Sequence, residues 1–180
     1  MKFDRHKDPC AVAAKDASRY AIQGVAVVQR DGGAYLCATD GHALSLVRAQ
    51  LDDGDTPDGV YPVAAFAAAR KAARKRPDAT VQLNGSARVE ADGATTEFAK
   101  VPGTFPQLDG VVPTGTPMRV LRLNAELLAK LQKALGADGV AIEIRDDERD
   151  RLPLVIRPIY TDGGTDDGSY GVMMPIDGDQ

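Results

Sequence analysis

Cys37 and His42 are the residues of this 180-residue chain whose types best suit nucleophilic chemistry. A thiol next to an imidazole can be activated as thiolate, and an acid is then needed to orient the base. Here the two residues flank a tight Asp40-Gly41 turn, with no acid placed to orient His42. Cys10 and Cys37 make no disulfide framework and have no histidine partners at zinc-ligand spacing. Asp162, Asp166 and Asp167 offer the hard oxygen ligands that calcium takes, but their spacing matches no calcium loop and a hairpin turn is the plainer reading. A Cys37–His42 hydrolase therefore ranks last. No catalysis, cofactor or metal is expected.

The charges carry more information. The chain is acidic, with a net charge of −4, which opposes a protein that coats DNA, because phosphate repulsion acts at long range. Yet 5 of the 22 basic residues fall within Arg70-Lys71-Ala72-Ala73-Arg74-Lys75-Arg76. Arg70 and Arg74 stand four apart, as do Lys71 and Lys75, so on a helix all four share one broad face. The plain reading of such a run is a solvated surface. The sharper one is a stripe that neutralises phosphates without reading bases.

The elements that must position these residues follow from turn signals and apolar period. Three strands are expected over 21–29, 34–39 and 43–49, turning at Asp31-Gly32-Gly33 and Asp40-Gly41. Leu44, Leu46 or Val47 is available for a core face. After an acidic loop, Val60-Tyr61-Pro62 is an extended entry to a helix over 64–76, whose inward residues are Val63, Phe66, Ala69 and Ala73. Strands over 80–83, 87–91 and 95–101 turn at Asn84-Gly85 and Asp92-Gly93, the strongest short hairpin signals. A further strand is expected over 118–123, then a helix capped by Asn124 with Glu126 in its first turn. Leu127, Leu128, Leu131 and Leu135 form its buried stripe and Gly136 ends it. Strands over 140–145, 152–159 and 169–176 complete the chain. Strand–helix–three strands thus occurs twice, which suggests internal duplication. Residues 8–18 have room for a short helix at most.

In this order, several segments resemble the bacterial DNA polymerase III beta subunit, the β sliding clamp. Ser18-Arg19-Tyr20-Ala21-Ile22-Gln23-Gly24-Val25 and Ala38-Thr39-Asp40-Gly41-His42-Ala43-Leu44 resemble its middle domain. Gly103-Thr104-Phe105-Pro106-Gln107-Leu108 and Val111-Val112-Pro113 look like the segment leading out of that domain. Tyr170-Gly171-Val172-Met173-Met174-Pro175-Ile176 resembles the closing strand. The resemblance implies an α+β clamp-like fold, with βαβββ repeats, antiparallel sheets and two helices on one face. It assigns 1–115 to the middle domain and 116–180 to the second half of the last. The family's first domain and the first half of its last domain have no counterpart in these residues.

The resemblance also implies a function: a non-enzymatic processivity factor, phage-type and shortened, that binds polymerase and clamp-loader peptides and surrounds duplex DNA. Carried over residue by residue, the peptide pocket comprises Thr39, Gly41, His42, Leu44, Pro113, Pro153, Val172 and Met174, with Met174 facing the pocket and Met173 elsewhere. An apolar cleft with Met as adaptable filler suits short-motif recognition. The plain alternative for Thr39-Asp40-Gly41-His42 is a hairpin turn doing local backbone work. The DNA-facing residues are Arg70, Lys71, Arg74 and Lys75, with Lys130 and Lys133 on the second helix. A peptide-binding adaptor or decoy that keeps the pocket without encircling DNA is the rival function. The residues after Thr116 lack a βαβββ partner to cover their edges, so a homo-oligomer is expected. No export signal, no bilayer-length apolar run and two free thiols predict a cytoplasmic protein without membrane contact.

Overall fold

Asp31 and Gly32 sit at φ 49° and 70°, the two positive angles that a two-residue type I′ turn needs. They close a hairpin between β1 (Gly24–Arg30) and β2 (Gly33–Thr39), with Arg30 opposite Gly33. β3 (Leu44–Ala49) pairs antiparallel with β2, and β4 (Val60–Pro62) pairs with the other side of β1, giving the order β3-β2-β1-β4. Alternation along these strands sends side chains to two cores. Val25, Leu36 and Ala38 join one. Ala26 and Cys37 join another, covered by Leu108 with Phe105 and Val112. Leu44 and Leu46 serve the second core and Val47 the first, so β3 is used on both faces.

The computed structural model describes residues 1, 7–16, 21–75, 80–91, 93–113, 115–117, 120–144, 153–161 and 168–176, with the backbone alone at 74–75. The chain divides into two compact units, Met1–Pro113 and Thr114–Gln180.

In the first unit, β4 runs into α1 (Val63–Lys75). Seven alanines, the residue with the highest helix propensity, make this segment helical. The same small side chains let it lie close on its sheet. Ala65, Phe66, Ala69 and Ala73 are buried there against Val81, Leu83, Ala87 and Val89. Phe66 alone contributes roughly 1.5–3 kcal/mol by leaving water. The opposing sheet is β5 (Thr80–Asn84), β6 (Ser86–Ala91) and β7 (Ala94–Phe98), all antiparallel. A carboxylate ties a loop to this core: Asp55 accepts from the N–H of Leu83 at 2.9 Å, from the N–H of Asp52 at 2.9 Å and from the Met1 ammonium at 2.9 Å.

In the second unit, α2 (Ala125–Ala134) starts at Asn124, whose side-chain oxygen accepts from the N–H groups of Glu126 and Leu127. That is the expected cap. The helix packs on an antiparallel sheet ordered β10-β9-β8, made of β8 (Gly139–Glu143), β9 (Leu154–Ile159) and β10 (Gly171–Met173). Leu128, Leu131 and Leu135 meet Leu154, Ile156 and Met173 between helix and sheet.

Several sequence expectations need correction. Leu127 is 45% exposed and lies off the buried stripe; Leu123, ahead of the helix, takes its place in the core. Residues 120–123 form no strand, although the N–H of Ile176 donates to the carbonyl of Arg122 at 2.8 Å. One such bond does not make a ladder. Met118 and Arg119 lie outside the described residues. The last strand is three residues long, where eight were expected, because its register with β9 runs only from Gly171 to Met173. Residues 7–16 hold turns and no helix.

Candidate functional site

Thr39 ends β2, and the chain reverses through Asp40, Gly41 and His42 before β3 begins. The reversal is built from side-chain bonds. The Thr39 hydroxyl donates to the Ala43 carbonyl at 2.6 Å and accepts from the Gly41 N–H at 3.0 Å. The Asp40 carboxylate accepts from the N–H groups of His42 and Ala43, each at 2.8 Å. Those two donors, Ala43 first, hold the Asp40 carboxyl below the usual carboxylate range. Gly41 has φ 94°, which a residue with a β-carbon adopts only with strain. Thr39, Asp40 and Gly41 therefore do the local backbone work of a turn.

That turn also presents a surface. His42 stands exposed at its tip, and Leu44 is half-buried beside Leu108 and Val112. Pro113 is exposed at the end of the same unit. These five residues belong to the first unit; Pro153, Val172 and Met174 belong to the second. There, the twofold alternation of β10 decides direction. Met173 is 4% exposed in the core, whereas Met174 is 57% exposed. Tyr170, Val172, Met174 and Ile176 are all exposed, an apolar row at every second position. Tyr170 was not singled out from the sequence; this parity was the available signal. Its ring lies 5.3 Å from the Arg157 guanidinium, which also donates to Glu143 at 2.9 Å. Pro153 is exposed just ahead of β9.

Along α1, Lys71 is exposed. Arg70 is different, because its guanidinium donates to the carboxylate of Asp8. Asp8 was missed in the sequence, where nothing connects it to a helix 62 positions away. The side chains of Arg74 and Lys75 lie outside the described residues. On α2, Lys130 and Lys133 are exposed, away from the leucines that meet the sheet.

The remaining chemical candidates come apart. Cys37 is fully buried, and burial pushes its thiol up to about 11, the wrong direction for an attacking thiolate. Cys10 is likewise pushed up to about 11 by burial. His42 is exposed. Asp162, Asp166 and Asp167 lie outside the described residues. Among the described residues no three His, Cys, Asp or Glu side chains cluster as metal ligands would, and no helix is long and apolar enough to cross a membrane.

Comparison with known proteins places this geometry in a fold. No protein-family profile and no curated protein matches the chain. Solved structures do. The beta sliding clamp of Caulobacter crescentus superposes with TM-score 0.67 at 23% identity over 95% of this chain and 46% of that one. A sliding clamp (DNA polymerase III subunit beta) of Pseudomonas aeruginosa, bound to griselimycin, gives TM-score 0.69 at 16% identity over 97% and 49%. The beta subunit of DNA polymerase from Streptococcus pyogenes gives 0.68 at 16% over 94% and 46%. The chain has the α+β sliding-clamp fold, and it spans about half the length of the clamps it resembles.

Proposed function

We propose that the chain is a non-enzymatic, cytoplasmic, clamp-like replication factor, which docks linear peptide motifs of polymerases and clamp loaders and contacts duplex DNA without reading sequence. The observation that carries this reading is the likeness to sliding clamps across nearly the whole chain. The exposure of the carried-over residues supports it, since His42, Pro113, Pro153, Val172 and Met174 all stand at the surface of their units. Thr39 and Gly41 shape the turn that presents His42 and Leu44. Lys71, Lys130 and Lys133 are exposed cations on the two helices, suited to phosphate rather than base contact. Copies of the chain assemble around the duplex as a homo-oligomer, each supplying cover for the sheet edges of another.

The test is titration with a synthetic peptide carrying a glutamine followed by apolar residues. Saturable binding in the micromolar range, about −8 kcal/mol, is expected. A flat titration overturns the peptide reading. Polymerase retention on circular primed DNA, with light scattering across a concentration series, tests the assembly.

An adaptor that holds the same peptides without encircling DNA is the second reading. It is favoured by the net charge of −4 and by the pairing of Arg70 with Asp8, both of which weaken attraction to phosphate. Peptide binding without retention on circular DNA would decide for it.

A further inference from the structure

Asp8 is held in place from several sides. Its Oδ1 accepts from the Cys10 N–H at 3.1 Å, and its backbone carbonyl accepts from the Ala11 N–H at 3.3 Å. Pro9, next in the chain, is buried, and its carbonyl accepts from the Ser45 hydroxyl at 3.2 Å. A few residues on, the Ala14 N–H donates to the carbonyls of Ile22 and Thr39. The segment is therefore stitched to the first sheet. The Asp8 Oδ2 that remains accepts from Nη1 of Arg70 on α1.

The two partners differ in freedom. Arg70 has a long side chain that can swing, while Asp8 is fixed by its neighbours. If Arg70 left for a phosphate, an uncompensated carboxylate would remain beside the incoming anion, and like charges at such range repel. A cation already matched by a carboxylate also holds no condensed counterion's place on DNA, so it adds little to the counterion release that drives binding.

We infer that Asp8 withholds Arg70 from nucleic-acid phosphate, acting as a built-in competitor that lowers the DNA affinity of α1. The inference rests on the reading of α1 as a DNA-contacting helix. Lys71, adjacent to Arg70, is joined to no carboxylate among the described residues and represents the uncompeted case. The competitor acts on charge alone and is blind to base sequence.

The experiment measures duplex DNA binding by the full chain across a salt series for wild type, Asp8→Asn, Arg70→Gln, the double variant and Lys71→Gln. Asparagine keeps an oxygen for the Cys10 N–H; Asp8→Ser is a second variant should the first fold poorly, judged by its thermal melt. Asp8→Asn is expected to steepen the log–log salt slope by about 0.9, so that about 3.5-fold more affinity is lost between roughly 50 and 200 mM salt than in wild type. In the double variant the gain disappears. An unchanged slope in both Asp8 variants overturns the inference. So does a gain that survives Arg70→Gln, which would reflect overall charge and not release of that arginine. If neither wild type nor the Asp8 variants bind DNA and Lys71→Gln changes nothing, the DNA-contacting reading of α1 falls, and the inference with it.

Discussion

Leu131 of α2 packs so closely on Gly171 of β10 that a β-carbon at Gly171 would lie 3.0 Å from its Cδ2. The absent side chain is what lets the helix settle on the last strand. Gly171→Ala should overpack this core and destabilise the second unit by about 1–3 kcal/mol. Hydrogen exchange of β9 and β10 amides in the full chain reads that unit directly. Protection equal to or above wild type would show that Leu131 yields without cost.

The two methionines next to each other at β10 should respond in opposite ways. Met174→Asp places a charge on an exposed position and should leave the melt intact while abolishing peptide binding, because the charge would enter an apolar contact unpaired. Met173→Asp buries that charge beside Leu154 and Ile156 and should unfold the second unit. His42→Ala should weaken peptide binding less than Met174→Asp. Wild-type peptide affinity in Met174→Asp would remove Met174 from the proposed contact.

Lys71 gives a charge prediction independent of Asp8. Its replacement by Ala should reduce the log–log salt slope of DNA binding by about 1, equally on unrelated sequences. A loss confined to one DNA sequence would contradict phosphate contact; no loss would return Lys71 to a solvated face.

Acid should act through Asp55. Burial alone would raise its carboxyl, but the N–H groups of Leu83 and Asp52 and the Met1 ammonium outweigh that and hold it below the ordinary range. A group depressed in the folded state contributes stability that is full above its unfolded value of about 3.9 and is lost as pH falls through the folded value. Asp55→Asn should therefore cost about 1–3 kcal/mol near neutral pH. The gap to wild type should narrow steadily below about pH 4. Melts from pH 7 to 2.5 measure it, and a gap that does not change with pH would assign the loss to packing.

Local signals sufficed wherever the decisive atoms are neighbours in the chain. Asn124 caps α2 because its own side chain reaches the N–H groups of Glu126 and Leu127. Asp31-Gly32 turns because its two backbones accept positive φ. The alanine-rich, Phe66-bearing period of α1 requires only its own spacing, and the parity that separates Met173 from Met174 follows from the strand's twofold repeat. The order of motifs from Ser18 to Ile176 was enough to suggest the clamp fold. What the sequence could not contain is the identity of distant partners. Parity says that the two methionines face opposite ways, and the resemblance puts Met174 at the pocket, but only packing says that Leu131, Leu154 and Ile156 are what enclose Met173. Leu127 and Leu123 traded places because the sheet, not the helix period, decides which leucine it covers. Residues 120–123 have strand-forming composition yet form no ladder, since a strand exists only through a neighbour's hydrogen bonds. Arg70 reads in sequence as one more cation of a basic stripe. Its charge is answered by Asp8, 62 positions earlier, because folding lays a stitched turn against the helix and electrostatics acts through space rather than along the chain.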